Sequence, residues 1–327
     1  MDYDYVIVGG GSAGCVLANR LSARAATKVL LIESGQDTPP GQVPADILET
    51  FPKAALNPAY KWMQLLAYTQ SLRRNVPQSP VLYDQGRVMG GGSSVNFQAA
   101  NRGAPADYDE WAEAGASGWA WQDVLPYFKK LEDDHDFAGE LHGKSGPLPV
   151  ERMSRAEWCG FSTATARALE AAGLPYLEDQ NGRFVDGYFA AAQNNRPGHR
   201  VSAAMAYLDA ATRARPNLRI LSQSHVQALL FEDGRATGVT VETPHGIETV
   251  RGREIVLSTG AVHSPALLMR AGIGPAAALQ ALGIAVRADL PGVGANLRDH
   301  PGVPVLAYLP SGSRVAKKTR PLQISFR

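Results

Sequence analysis

Apolar runs, glycine turns and helical stretches alternate from the first residues onward. Tyr5-Val6-Ile7-Val8 predicts a short buried strand, Ser12 to about Ser22 a helix, and Lys28-Val29-Leu30-Leu31-Ile32 a second buried strand. Between residues 36 and 80 the periodicity disappears. Pro39-Pro40, Phe51-Pro52, Asn57-Pro58 and Trp62 lie in a Pro- and Gln-rich context that predicts an irregular covering segment. Helical signals return from Asp109 to about Glu132, with Trp119, Trp121, Leu125 and Phe128 as packing anchors, then over Trp158–Ala172 and Ser202–Arg213. Val185–Asn195 has turn and strand character. Leu218–Leu221, Val226–Phe231 and Gly238–Val241, separated by turns such as Asp233-Gly234, predict a small antiparallel sheet. Glu254–Ser258 reads as another buried strand. It ends in a turn at Gly260, with Pro265 expected at the start of the following helix.

The first strand opens directly into Gly9, Gly11 and Gly14. In the spacing G-x-G-x-x-G the first glycine makes a tight turn, the second admits a pyrophosphate, and the third lets the helix close on the sheet. Ser12 and Ala13 then lie at a helix N-terminus, where backbone N–H groups and the helix dipole favour an anion. Glu33 ends the second strand roughly 20 residues on, where a carboxylate accepts hydrogen bonds from a ribose 2′-hydroxyl. The same acid would repel a 2′-phosphate, which argues against NADP and for FAD or NAD. A second glycine cluster, Gly86 to Asn96, carries Arg87 before it and Gly91, Ser94 and Asn96 within it. Such a loop offers several N–H groups to phosphate.

Composition narrows the class. The 327 residues are 45% hydrophobic with 33 Gly and 22 Pro, enough for more than one domain. Lys and Arg (32) nearly cancel Asp and Glu (31), so no strong field for nucleic acid or an anionic membrane is present. No apolar run reaches the length of an integral membrane segment. Met1 leads straight into the first strand without a signal-peptide pattern, so a cytoplasmic location is expected. The two cysteines, Cys15 and Cys159, form neither a disulfide framework nor a metal-ligand spacing, and Cys15 reads as a small core residue. No metal is expected.

Five motifs in order resemble the N-terminal, FAD-binding portion of the glucose-methanol-choline (GMC) oxidoreductases, over nearly the whole chain to about Leu309. They are the opening glycines with Glu33, the Gly86–Asn96 loop, Gly198–Ser202 before Ala206-Tyr207-Leu208, the stretch Gly260–Pro265 to Gly272-Ile273-Gly274, and Asn296–Pro301. The resemblance implies an α/β fold: a Rossmann-like FAD-binding domain with a parallel sheet, plus part of an α+β substrate domain with an antiparallel sheet. Residues 1–150 would form the first part of the FAD domain, with a lid at about 36–80. Residues 151–215 would be a substrate-domain segment, 216–305 the second FAD part, and 306–327 the start of the remaining substrate domain.

By the same resemblance, the opening glycines and Glu33 form the ADP site, Arg87 to Asn96 cross the pyrophosphate and flavin, and the Val226 backbone meets the adenine. Gly260 belongs to the cofactor site, and Asp299 and His300 lie near the ribityl chain and pyrimidine end. The implied reaction oxidises a small-molecule alcohol to an aldehyde by hydride transfer to flavin, with the electron acceptor open between oxygen, a quinone or another. Val95 stands where some relatives carry a histidine bonded covalently to flavin, so non-covalent FAD is expected. The family's catalytic His with a second His or Asn is expected beyond Arg327, leaving no catalytic residue in this chain and making it inactive alone. His135, His142, His225 and His245 read as solvated imidazoles in turns or at strand edges. Two other readings remain: an inactive FAD-binding fragment, and an NAD-linked Rossmann dehydrogenase, which leaves the Gly86 loop and the Gly260–Gly274 stretch unexplained.

Overall fold

Tyr3–Val8 (β1), Ser12–Ser22 (α1) and Val29–Ile32 (β2) form the strand-helix-strand opening in the computed structural model, which describes residues 2–68, 80–196, 198–300, 302, 305–311 and 322–327. Two units divide the chain. The first comprises Met1–Pro44, Ala54–Val95 and Ala203–Val303; the second comprises Ala45–Lys53, Asn96–Ser202 and Pro304–Arg327.

The first unit is built on a six-stranded sheet in the order Leu218–Leu221, β2, β1, Gly246–Leu257, Arg235–Thr243, His225–Glu232. Its first three pairings are parallel and its last two antiparallel. The strand Gly246–Leu257 serves both halves. Its first six residues pair antiparallel with Arg235–Thr243, and from Gly252 onward it runs parallel to β1.

Leu218–Leu221, expected in the small antiparallel sheet, pairs parallel with β2 instead. Its anchor is Asn217, whose side-chain amide donates to the carbonyls of Ser22, Arg24 and Thr27 at 3.0, 3.0 and 2.7 Å, and so ties the strand's start to the α1–β2 turn. Val6 and Val8, Leu30 and Ile32, Val239 and Val241 recur at the two-residue strand period and share one core with Val226 and Leu267. Burying each such side chain contributes about 1.5–3 kcal/mol. That packing carries α1, since an 11-residue helix is marginal on its own. Cys15 and Ala18 of α1 are fully buried, and burial pushes the Cys15 thiol up to about 12, which leaves it an unreactive core residue.

Two helical expectations change in detail. The stretch Ser202–Arg213 forms two short helices, Ala203–Tyr207 and Ala210–Arg213, because Asp209 accepts from Thr212 N–H and starts the second one afresh. The last sheet strand's helix runs Gly260–Arg270 and begins at the glycine turn itself, so Pro265 lies inside it. A proline there removes only the N–H that would serve a first-turn carbonyl.

The second unit contains helices Pro105–Glu113, Trp121–Leu131 and Gly160–Ala171, and, among the described residues, three two-stranded sheets, one of them Asn195–Arg196 with His199–Arg200. Glu132–Asp134 pairs parallel with Leu148–Val150, and Tyr188–Ala190 antiparallel with Ile324–Phe326. Residues 96–150, grouped by the sequence with the first unit, fall here. They are tied in by Asn181, which accepts from Arg102 N–H and donates to the Ala100 carbonyl, and by backbone pairing of Ala99 with Gln193. Trp119 is not a core anchor: 53% of it is exposed, against the ring of Trp111. No helix among the described residues is long and apolar enough to cross a membrane.

Candidate functional site

A cleft of about 420 Å³ opens in the first unit where the C-terminal ends of β1 and β2 meet the start of α1. Gly9, Gly11, Ser12 and Ala13 line one wall. A side chain at Gly14 would place its Cβ 1.9 Å from the Gly9 carbonyl oxygen, so Gly14 is where the helix closes on the turn. At Gly11 the nearest atoms to such a Cβ are 3.8 and 4.0 Å away. That position faces open space beside the first-turn N–H groups of α1, which have no partners within the helix.

The Gly86–Asn96 loop closes a second wall, with Gly86, Gly91 and Gly92 in the lining. Gly90 N–H donates to the Gly10 carbonyl at 2.7 Å, which brings the two glycine loops into contact. Ser94 does not reach the cleft. It is fully buried and its hydroxyl donates to the Met89 carbonyl at 2.7 Å, fixing the loop's curvature. Arg87 stacks over the Trp62 ring, 5.0 Å from its centre. Asn96 lies in the second unit, where its side-chain oxygen accepts from Gln98 N–H and from the buried Arg200 guanidinium, both at 3.0 Å.

Glu33 is 7% exposed and lines the far part of the cleft with Ser34, Ser224, His225 and Val226. Its two oxygens accept from Gly10 N–H and Gly35 N–H, each at 2.8 Å. Burial outweighs those two bonds and pushes its carboxyl up to about 7. Each carboxylate oxygen has a second lone pair, so a ribose diol can still be received. Thr259, Gly260, His263, Ser264 and Arg270 supply the remaining wall from the start and inner face of the Gly260–Arg270 helix. Asp299 and His300 are exposed and lie outside this lining, with Asp299 accepting from the Tyr83 hydroxyl at 2.6 Å.

Sequence reasoning missed Trp62 as a lining residue, and it read His225 as solvated. His225 is half-buried, 3.1 Å from the Ser34 hydroxyl and edge-on to Trp62 at 5.6 Å. The available signals were Trp62's place as the one tryptophan between residues 36 and 80 and His263's place inside the Gly260 motif.

A second polar cluster lies in the second unit. Glu132, Asp134 and His142 present ligand atoms within 4.8 Å of one another, all buried. His142 is therefore no solvated imidazole. Its Nδ1 is 3.1 Å from both Glu132 and Asp134, and its Nε2 is 2.7 Å from Asp179. Burial alone would lower its pKa, but the three carboxylates hold it up at about 10, while Asp134 is held down to about 2 against its own burial by His142, Phe137 N–H and Arg152. Arg102 pairs with Glu132 at 2.5 Å, and Arg152 with Asp134 and Asp179 at 2.9 and 3.3 Å. Three cations thus answer three carboxylates. The donor set is spent on protein cations and suits a structural knot better than a metal ion.

The fold agrees with comparison to known proteins. Residues 3–302 match the GMC oxidoreductase family. The chain belongs to the GMC oxidoreductases. It is 48% identical over 321 residues to 5-(hydroxymethyl)furfural oxidase of Methylovorus sp. (strain MP688), covering 97% of this chain and 60% of that protein. It is 41% identical over 307 residues to the oxygen-dependent choline dehydrogenase of Rhizobium johnstonii, covering 92% and 53%. The crystal structure of pyridoxine 4-oxidase from Mesorbium loti superposes with a TM-score of 0.79 at 37% identity, over 88% of this chain and 55% of that one. The chain therefore spans little more than half the length of the relatives it matches. GMC family members are FAD-dependent flavoprotein oxidoreductases acting on alcohols.

Proposed function

We propose that this GMC chain binds FAD without a covalent bond and serves the oxidation of an alcohol CH–OH group to the aldehyde. The observation that carries the reading is the joining, in one cleft, of an open Gly11 cradle at a helix N-terminus with the Glu33 carboxylate. The residues fit the group. Gly11, Ser12 and Ala13 would hold the pyrophosphate with the Gly91 loop opposite, Glu33 would receive the ribose hydroxyls, and Val226 would flank the adenine. FAD, when bound, supplies the acceptor for the hydride that leaves the alcohol carbon. The chain's own residues neutralise phosphate charge with N–H groups, orient the adenosine end and exclude water around it. Val95 offers no nucleophile for a flavin bond, which supports a dissociable cofactor. A small-molecule alcohol is the substrate class, in keeping with relatives named for 5-(hydroxymethyl)furfural and choline.

Purified protein is expected to show a flavin absorption spectrum, and acid precipitation to release the flavin into the supernatant. Glu33→Ala should weaken FAD binding by about 1–3 kcal/mol for the lost ribose acceptor, and Glu33→Asp by less, read by flavin fluorescence titration. A protein that binds NAD and not FAD would overturn the assignment.

The proton acceptor for the alcohol hydroxyl is proposed to lie outside these 327 residues. A general base must come within about 3 Å, or one water, of the proton it takes. The histidines that line the cleft, His225 and His263, pack on Trp62 in the part of the cleft that holds Ser34. The chain mixed anaerobically with choline, aliphatic or benzylic alcohols should show flavin bleaching slower than a full-length relative by roughly 10²–10⁴-fold or more. Bleaching at the relative's rate would place the base within this chain.

A further inference from the structure

Neither Pro105–Glu113 nor Trp121–Leu131 has a buried residue, although both carry large aromatic side chains. Tyr108 joins them. Its ring lies 5.3 Å from Trp111 on its own helix, and 5.9 and 5.8 Å from Trp121 and Phe128 on the next. Trp111 in turn meets Trp119, in the connecting segment, at 6.1 Å. The outer rings stay open: Trp111 is 51% exposed, Trp119 53% and Tyr127 68%. Three large rings about half open leave roughly 300–400 Å² of aromatic surface, a size at which a patch on a soluble protein is often a contact site. All of it lies within the second unit.

The charges beside these rings fall into two edges. Asp107 and Asp109 are spent locally, accepting from Ala104 N–H at 2.8 Å and from Trp121 N–H at 2.9 Å. Glu110 and Glu113 are exposed and have no ion-pair partner among the described residues. One turn apart, they share a side of their helix at its C-terminal end, where the helix dipole disfavours a carboxylate. That edge calls for cations from outside. Lys129 and Lys130, in the last turn of Trp121–Leu131, are likewise without a carboxylate partner among the described residues. Lys130 shares a side of that helix with Tyr127.

We propose that this aromatic face is a two-fold contact between copies of the chain. Trp111, Trp119 and Tyr127 form its apolar centre, and Glu110 and Glu113 of each copy meet Lys129 and Lys130 of the other. A second copy is the partner that the charges specify. In a two-fold contact the same patch serves both sides, so an acidic edge requires a basic edge on that very patch, and the patch has one. The same acids repel an anionic membrane. The open ring area falls short of the roughly 800 Å² per partner of a standard interface, so the dimer is weak and reversible, with a dissociation constant of about 1–100 µM.

The test is sedimentation velocity of the purified chain from about 1 to about 300 µM, where a reversible monomer–dimer equilibrium is expected. Two charge variants read the contact. Glu110→Lys with Glu113→Lys makes the face wholly basic, and Lys129→Glu with Lys130→Glu makes it wholly acidic. Each variant alone is expected to weaken self-association by about 10-fold or more, because like charges then oppose one another, and an equimolar mixture of the two should restore dimers to near the wild-type level. Trp111→Ser with Trp119→Ser should weaken association to a similar degree without any rescue on mixing. Melting temperatures near that of wild type check that each variant keeps its fold, and the mixture is readable even if the tryptophan variant does not. A chain that stays monomeric at the highest concentration overturns the proposal. So does a dimer that persists unchanged in both charge variants, or a mixture that fails to re-form it. Binding to neutral phosphatidylcholine vesicles without self-association assigns the face to a lipid surface and overturns the dimer.

Discussion

Gly11→Val is expected to abolish FAD binding while leaving the thermal transition near that of wild type, whereas Gly14→Ala should lose the fold first. The two positions are three residues apart and do opposite things. A Cβ at Gly11 meets nothing nearer than 3.8 Å, so the new side chain enters open cleft and occupies the volume that a pyrophosphate would take. Losing about two charge-assisted hydrogen bonds, at about 1.5–3 kcal/mol each, weakens binding by roughly 10²–10⁴-fold. At Gly14 the Cβ would stand 1.9 Å from the Gly9 carbonyl and 3.0 Å from the Ser258 hydroxyl, in a place with no slack. Overpacking of this kind costs about 1–3 kcal/mol or more, and with about 2–4 °C per kcal/mol the melting temperature should fall by several degrees or further. Equal loss of melting temperature in both variants, or retained flavin fluorescence quenching in Gly11→Val, would mean that Gly11 does not face the pyrophosphate.

The second large effect concerns the ion knot around His142. His142→Leu leaves Glu132, Asp134 and Asp179 facing only two guanidiniums, and an uncompensated buried charge costs about 3–5 kcal/mol. The pH dependence has a definite sign. The folded pKa of about 10 lies above the unfolded value, so the imidazolium's contribution is complete below about pH 6.5 and is lost as pH rises toward about 10. Wild type should therefore lose melting temperature across that alkaline interval. His142→Asn, less stable at neutral pH, should show a flatter profile over the same range. An unchanged slope in the variant would mean that His142 is neutral in the folded protein.

What could be read in the sequence was whatever a few adjacent residues determine. The G-x-G-x-x-G turn, its flanking strands and Glu33 are a local pattern with a local purpose, and the structure joins seven of their residues, Val8, Gly9, Gly11, Ser12, Ala13, Ile32 and Glu33, in one cleft. Pairing partners are not local. Leu218–Leu221 has the composition of an antiparallel ribbon strand, yet it runs beside β2, anchored by the amide of Asn217, which reaches back to Ser22, Arg24 and Thr27, and by backbone bonds from Val29 to Asn217 and from Glu33 to Leu221. His142 failed for the same reason. In sequence it stands in a polar glycine turn, while its nearest partner, Asp179, is 37 residues away. Trp62 and His263 are separated by about 200 residues, and no spacing rule joins an aromatic in an irregular segment to a histidine inside a helix.

The dual role of Gly246–Leu257 has a consequence for synthesis. β1 leaves the ribosome about 250 residues ahead of its partner, since Tyr5 pairs with Glu254, and β2 waits for Leu218–Leu221. At about 5–20 residues per second, roughly 10–50 s separate the emergence of the first strand from that of its partner. During that interval two strands as apolar as any in the chain have each other and α1, but open edges on both sides. Nascent chains stalled before about residue 250 should accordingly need a holdase, and a synonymous slow-codon run placed in the segment encoding residues 100–200 should lower soluble yield without altering a single amino acid.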